Sequence, residues 1–195
     1  MDERLERWLD ALLATPGLTS IRDRSDAARV HVDESLAALE VVRRYGGPIV
    51  DVGSGGGAPG IPLAAALPNR QVTLLEANGR KCAFLREMAL EFPNVTVVQG
   101  RAEEQQTDRF GVAVAKALAP PPVAAEWCLP LVVPGGAVVL YVGPSADAAV
   151  VSRAAERLGG GPVEQVPGLL VLHKVAPTPP GFPRRPGLAK KRPLV

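Results

Sequence analysis

The stretch DVGSGGGAPG, residues 51–60, sets a carboxylate, Asp51, ahead of five glycines: Gly53, Gly55, Gly56, Gly57 and Gly60. So few side chains let a backbone approach a ligand closely, and a helix starting beyond them adds unpaired N–H groups. Gly55, Gly57 and Gly60 satisfy G-x-G-x-x-G, and Glu76 follows Gly57 by nineteen residues at the end of the next β-like run. A dinucleotide site, an S-adenosylmethionine site and a ligand-free turn all fit that spacing. The bare turn needs only about one or two glycines. Asp51 separates the other two. A pyrophosphate at the helix N-terminus is repelled by a carboxylate at the loop mouth, whereas a ligand with an ammonium and a sulfonium is attracted. Glu76 can accept hydrogen bonds from two ribose hydroxyls in either case. The loop therefore reads as an S-adenosylmethionine site built on Asp51, Gly53, Gly55, Gly57 and Glu76.

Such a loop must be held between a strand and a helix. From Pro48 onward β-like runs alternate with helix-like ones: PIVDV, then 60–67; QVTLLE, then 80–91; NVTVVQ; GVAVA, then 121–131; AVVLYV, then 146–158. The alternation predicts right-handed βαβ crossovers and an α/β fold with a mostly parallel sheet. PVEQV and GLLVLHKV stand so close that they pair as a hairpin, adding an antiparallel edge. The pattern matches a Rossmann-like class I methyltransferase fold with seven strands. Two amphipathic helices precede it, over 3–14 and 26–45, the first with Leu5, Trp8, Leu9 and Leu12 on one face and the second capped by Ser25. We divide this single domain into an N-terminal helical region (1–47), a Rossmann-like core (48–176) and a basic arm (177–195).

Composition bounds the rest. The chain has 195 residues, enough for one domain with a core, and its 47% hydrophobic and 22% charged residues exclude a mainly disordered chain. The N-terminus MDERLERWLD lacks the apolar core of a secretory signal, and the most apolar region, 129–142, is broken by prolines and glycines. A cytoplasmic location without membrane attachment follows as an expectation. Cys82 and Cys128 stand alone in helical patterns and read as buried reduced thiols, so no metal site is expected. His31 reads as structural and His173 as an exposed edge-strand residue. Arg101 reads as a support of the turn before Glu103, an RNA contact, or a partner of Glu103 or Glu104.

Residues 182–195, FPRRPGLAKKRPLV, carry five basic side chains and no acid, leaving 17 basic against 20 acidic in the remainder. Three prolines favour an extended arm, either solvated or contacting RNA phosphates through Arg184, Arg185, Lys190, Lys191 and Arg192. The glycine loop and Glu76 lie on the body and are expected not to need it.

DVGSGGGAPGIPLA, VTVVQGRAEE, FGVAVAKALAP, EWCLPLVVPGG and FPRRPGLAKKRPL together resemble the glucose-inhibited division protein B family, over about residues 18–195. The resemblance implies a bacterial S-adenosylmethionine-dependent guanine-N7 methyltransferase of small-subunit (16S) ribosomal RNA, with that RNA or the ribosomal subunit as partner. It implies that Gly53 and Ala58 contact the cofactor and that Ala102 and Glu103 lie against adenine. Lys116 stands where the family has arginine, keeping the charge but losing the planar fork. Its place at the C-terminal end of a parallel strand suits a ligand contact, whether to phosphate, the cofactor carboxylate or guanine O6. The family's longer N-terminal region, with Trp-Asn and Asn-Leu-Thr, is reduced here to Trp8 and GLT at 17–19, and Ala58 replaces a larger apolar residue.

Guanine N7 is an unprotonated lone pair, so its methylation requires no general base, and none is assigned. AKALAP lacks an NPPY-like element for exocyclic amines, and no Pro-Cys pair stands there as nucleophile. A small-molecule methyltransferase and an RNA-binding assembly factor with a vestigial cofactor fold are the competing readings. The basic arm speaks against the first and the intact loop with Glu76 against the second.

Overall fold

The computed structural model describes residues 2–195. Helix α1 (Glu3–Ala14) starts at Asp2, whose side chain accepts the Arg4 N–H at 2.8 Å, and buries Leu5, Trp8, Leu9 and Leu12, the face expected from spacing. The long second helix is instead three short ones, α2 (Arg24–Ala28), α3 (Glu34–Leu36) and α4 (Leu39–Arg43). Its cap is Asp23, extended at φ −75° and accepting the Asp26 N–H, not Ser25. A wider π turn over Arg29–Asp33 separates α2 from α3 and sets the Val30 carbonyl against Lys116 Nζ.

Seven strands follow: β1 (Ile49–Val52), β2 (Val72–Glu76), β3 (Val95–Gln99), β4 (Phe110–Lys116), β5 (Val132–Tyr141), β6 (Gly160–Val166) and β7 (Leu169–Lys174). Between them lie α5 (Gly60–Ala66), α6 (Gly79–Ala89), α7 (Pro121–Cys128) and α8 (Ala148–Glu156), and α9 (Leu188–Lys191) ends the chain. The sheet order is β3-β2-β1-β4-β5-β7-β6. The hairpin does form, but β7 inserts between β5 and β6, antiparallel to both, so the edge strand is β6. Insertion pairs both sides of the apolar β7, whose Leu169–Leu172 are all buried. His173 therefore lies inside the sheet, half-buried and bonded through Nδ1 to the Tyr45 hydroxyl, rather than on an exposed edge.

Strand alternation builds two cores. Ile49, Val112, Val114, Val139 and Val171 face α1, α5 and α6, while Val50, Val52, Ala113, Val138 and Leu140 face α7 and α8. The N-terminal helices thus share the first core with the sheet. Arg70 reinforces that join by donating to the carbonyls of Val42 and Gly47. Cys82 and Cys128 are buried free thiols. Among the described residues no helix is long and apolar enough to cross a membrane, and no cluster of His, Cys, Asp and Glu could hold a metal ion.

Candidate active site

A cavity opens at the C-terminal ends of β1, β2 and β4, where open α/β sheets bind ligands. Gly53, Glu76, Ala102 and Glu103 line it, together with Trp127 and Lys190. Gly53 has φ +73°, and a Cβ there would come within 2.3 Å of Leu118 Cδ1 on the cavity wall. Any other residue would need both strain and a shift of that wall.

Glu76 ends β2 and is 9% exposed. Its Oε2 accepts the Gly55 N–H at 2.9 Å and its Oε1 the Asn78 N–H at 2.8 Å. The carboxylate is fixed by both loops, and each oxygen keeps a lone pair for a hydroxyl in the cavity. Ala102 and Glu103 lie on a helical turn, Ala102–Glu104, that follows β3. Arg101 also lines the cavity, while its backbone N–H donates to Glu104 Oε2.

Asp51 is not at the loop mouth. Strand alternation turns it to the face covered by α5, where it is 1% exposed and Oδ2 accepts the Gly60 N–H at 3.0 Å. Its Oδ1 has no hydrogen-bond partner. Burial pushes its carboxyl up to about 7. Asp51 therefore joins the end of β1 to the start of α5 from beneath the loop. The absence of a side chain at Gly60 makes this possible, since a Cβ would stand 2.7 Å from Asp51 Oδ2 and 2.3 Å from Leu74 Cδ2.

Gly57 and Ala58 also face inward rather than toward the cavity. A Cβ at Gly57 would meet Ile61 and Trp8 Nε1, and Ala58 packs on the first core. Trp8 supports the same loop by donating its indole N–H to the Gly56 carbonyl at 2.8 Å. Nothing in the spacing of α1 distinguishes that tryptophan from an ordinary core residue.

Lys116 sits apart from the first cavity. Its Nζ donates to the Val30 carbonyl and lies 3.0 Å from Glu34 Oε2. It lines a second cavity that shares Ala117 with the first. Ala117 has φ +53°, a left-handed conformation that costs a non-glycine residue about 1 kcal/mol. His31 is held by Thr19 Oγ1 at 3.0 Å, and burial lowers its imidazole below the ordinary value.

The C-terminal segment is folded onto the body rather than extended. Arg184 donates from Nε and Nη2 to Glu126 at 2.5 and 2.6 Å, and from Nη2 to the Arg192 carbonyl. Glu126 is only 3% exposed, so its charge requires that fork. Gly187, at φ +80°, donates its N–H to Glu103 Oε1 and starts α9. Prolines at 183, 186 and 193 bracket this short helix without entering it. Ala189 is buried, and Lys190 Nζ stands 5.3 Å from the Trp127 ring on the cavity rim. Arg184 is thus an anchor, while Arg185, Lys190, Lys191 and Arg192 are exposed. The tail also builds one wall of the cavity, contrary to the sequence expectation. Trp127 and Lys190 escaped that reading because their meeting depends on the tail folding back.

The cavity suits a nucleoside ligand: a fixed carboxylate, apolar walls from Leu75, Leu118 and Trp127, and glycine backbone on one side, with the cations Lys81, Arg101 and Lys190 also in its lining. Solved methyltransferases share this architecture. An S-adenosylmethionine-dependent methyltransferase, SibL, superposes with a TM-score of 0.65 at 17% identity, covering 86% of this chain and 62% of its own. The antibiotic-resistance methyltransferase Kmr gives 0.54 at 16%, covering 72% and 92%. Sequence relatives are closer. The ribosomal RNA small subunit methyltransferase G of Moorella thermoacetica is 37% identical over 91% of this chain and 82% of its own. That of Chloroflexus aggregans is 35% identical over 98% and 89%. The family model for rRNA small subunit methyltransferase G, GidB, matches residues 2–169. S-Adenosylmethionine is the cofactor that this family membership and the cavity's chemistry share. The chain belongs to the GidB family of small-subunit rRNA methyltransferases.

Proposed function

We propose that the protein transfers a methyl group to N7 of a guanine in small-subunit ribosomal RNA. The observation that carries this reading is the pair of cavities that share Ala117 in their lining, one bordered by Glu76 and Gly53, the other by Lys116 and Glu34. Bound S-adenosylmethionine supplies an electrophilic methyl on a sulfonium. Glu76 holds the ribose diol through its free lone pairs, and the backbone at Gly53 permits close approach. Ala102 and Glu103 border the adenine end.

The surroundings suit a nucleophile that needs no proton removed. Around the second cavity the charged groups, Lys116 and Glu34, are paired with each other. Guanine N7 attacks with its own lone pair, so positioning and exclusion of water suffice. Arg185, Lys191 and Arg192 are the exposed cations placed to meet RNA phosphates, with Lys190 at the cavity rim. The test is methylation of purified small ribosomal subunits or their RNA with labelled cofactor, followed by chemical cleavage at N7-methylguanosine. Label confined to one cleavable guanosine supports the reading. Label at any other atom overturns it.

A further inference from the structure

The second cavity is a built site with no occupant assigned by the fold. It measures about 520 Å³ and lies at the C-terminal ends of β4 and β5. The Tyr141 ring forms a wall and Leu169 with the β6–β7 turn at Gly168 another. That turn is tied to β5 by the Val142 N–H donating to the Gly168 carbonyl at 2.9 Å. The polar side chains of its lining are those of Glu34, Lys116 and Tyr141. Glu34 reaches in from α3, with Oε2 3.0 Å from Lys116 Nζ and Oε1 3.4 Å from an Arg29 nitrogen. Lys116 is itself tethered to the Val30 carbonyl within the π turn, and the Tyr141 hydroxyl donates to the Ser35 carbonyl at 2.5 Å. The irregular N-terminal helices are thus bonded to β4 and β5, and the Glu34 carboxylate is placed where those bonds converge.

We infer that this cavity receives the target guanine and that Glu34 reads its Watson–Crick edge. The inference rests on the guanine-N7 reading and adds the residue that selects the base. Flat apolar walls with a few polar groups are what a purine ring needs. Guanine offers two adjacent donors, N1–H and N2–H, and a carboxylate accepts both. Adenine offers a lone pair at N1, which the same carboxylate repels. With N1 and N2 held by Glu34, N7 lies on the opposite edge of the ring. Ala117 is the residue through which that edge can face the cofactor cavity.

The chemistry makes Glu34 more than an anchor. The N7 lone pair forms the new N–C bond while the methyl–sulfur bond breaks and its electron pair returns to sulfur. No proton is transferred, and the guanine ring gains a positive charge. That charge makes N1–H a stronger donor, so its bond to Glu34 tightens in the transition state. Lys116 is a positioning residue that holds the carboxylate.

The deciding experiment combines Glu34→Ala with inosine, which lacks the N2 amino group, in place of the target guanosine in reassembled small subunits. The target is first mapped with wild-type protein. Wild type should lose about 10- to 150-fold in kcat/KM on inosine, the scale of one charge-assisted hydrogen bond. The Glu34→Ala variant should lose at least as much on guanosine, largely in kcat, yet lose less than about threefold more on inosine. Its affinity for S-adenosylhomocysteine and its unfolding midpoint should stay near wild type, since Glu34 is 45% exposed and outside the first cavity. A wild-type rate for Glu34→Ala, or an inosine penalty equal in both proteins, overturns the assignment. Wild-type methylation at an atom other than guanine N7 instead overturns the reaction reading beneath it.

Discussion

Trp8 and Gly56 are joined by a 2.8 Å hydrogen bond from the indole N–H to the loop carbonyl, so the first helix of the chain holds the glycine loop from below. Trp8 is 1% exposed, and Leu12 and Leu18 lie beside Gly56 in the same packing. The loop is therefore preorganised by the N-terminal helices as well as by β1 and α5. Trp8→Phe keeps most of the apolar volume and removes the donor. It should destabilise the protein by about 1–2 kcal/mol, the cost of leaving a part-buried carbonyl unpaired, and weaken S-adenosylhomocysteine binding several-fold. Denaturant unfolding and equilibrium titration check both effects.

Glu76 has a double role. Glu76→Ala should reduce cofactor affinity by about 1.5–3 kcal/mol, or roughly 10- to 150-fold. It also strips the Gly55 and Asn78 N–H groups of their acceptor, so stability should fall by about 1–3 kcal/mol. The sequence shows a carboxylate at the end of a strand but not its bonds to the two loops. Titration calorimetry and thermal unfolding on the same preparation separate the two effects, and Glu76→Gln, which retains an acceptor, should recover part of the stability.

Much of the framework was legible because strands and helices announce themselves by period. The alternation Val50, Val52 against Ile49, Asp51 is visible in the chain, as is the apolar stripe of α1. That same alternation carried the clue that Asp51 points under α5 and not into the ligand, although the glycine motif drew attention to its charge. Sequence could not show β7 inserting inside β6 from the hairpin turn alone, although the continuous apolar run of β7 beside the mixed PVEQV of β6 carried that clue. Nor could it show that Glu126 needs Arg184, fifty-eight residues later. Contacts that depend on where a tail returns have no local signature, and Trp127 with Lys190 belongs to that class, while Glu34 meets Lys116 only through the packing of the N-terminal helices on β4.

Asp51 gives stability a pH dependence with a definite sign. Its folded-state pKa is raised to about 7 from an ordinary 3.8, so between these values the folded protein holds a proton that the unfolded chain has released. Stability from this group is present in full below about pH 4 and falls as pH rises to about 7, by on the order of 4 kcal/mol at most. Asp51→Asn keeps an acceptor for the Gly60 N–H and cannot ionise. Urea unfolding at pH 5 and pH 8 should show wild type losing stability relative to Asp51→Asn over that interval. A constant difference between them would exclude a buried, titrating Asp51.

The folded tail separates two functions that an extended arm would combine. Arg184→Ala leaves the buried Glu126 unpaired, which should cost about 3–5 kcal/mol of stability. It should also weaken S-adenosylhomocysteine binding, because the segment it anchors bonds Glu103 and places Lys190 on the cavity rim.

Replacing Arg185, Lys191 and Arg192 together by Gln tests RNA contact without disturbing that anchor, since all three side chains are exposed. If each meets a phosphate, the slope of log affinity against log salt should flatten by about 2–3 units, at roughly 0.7–0.9 per contact. RNA binding at low salt should weaken correspondingly. S-Adenosylhomocysteine affinity and the unfolding midpoint should not move, because none of the three lines the cofactor cavity. Measuring subunit or RNA binding at several salt concentrations, beside a cofactor titration, distinguishes the alternatives. An unchanged salt slope would place RNA recognition elsewhere, leaving the tail's role to Arg184 and the cavity wall. A flattened slope with intact cofactor binding would show that one short segment closes the cofactor cavity with one set of side chains and meets RNA with another.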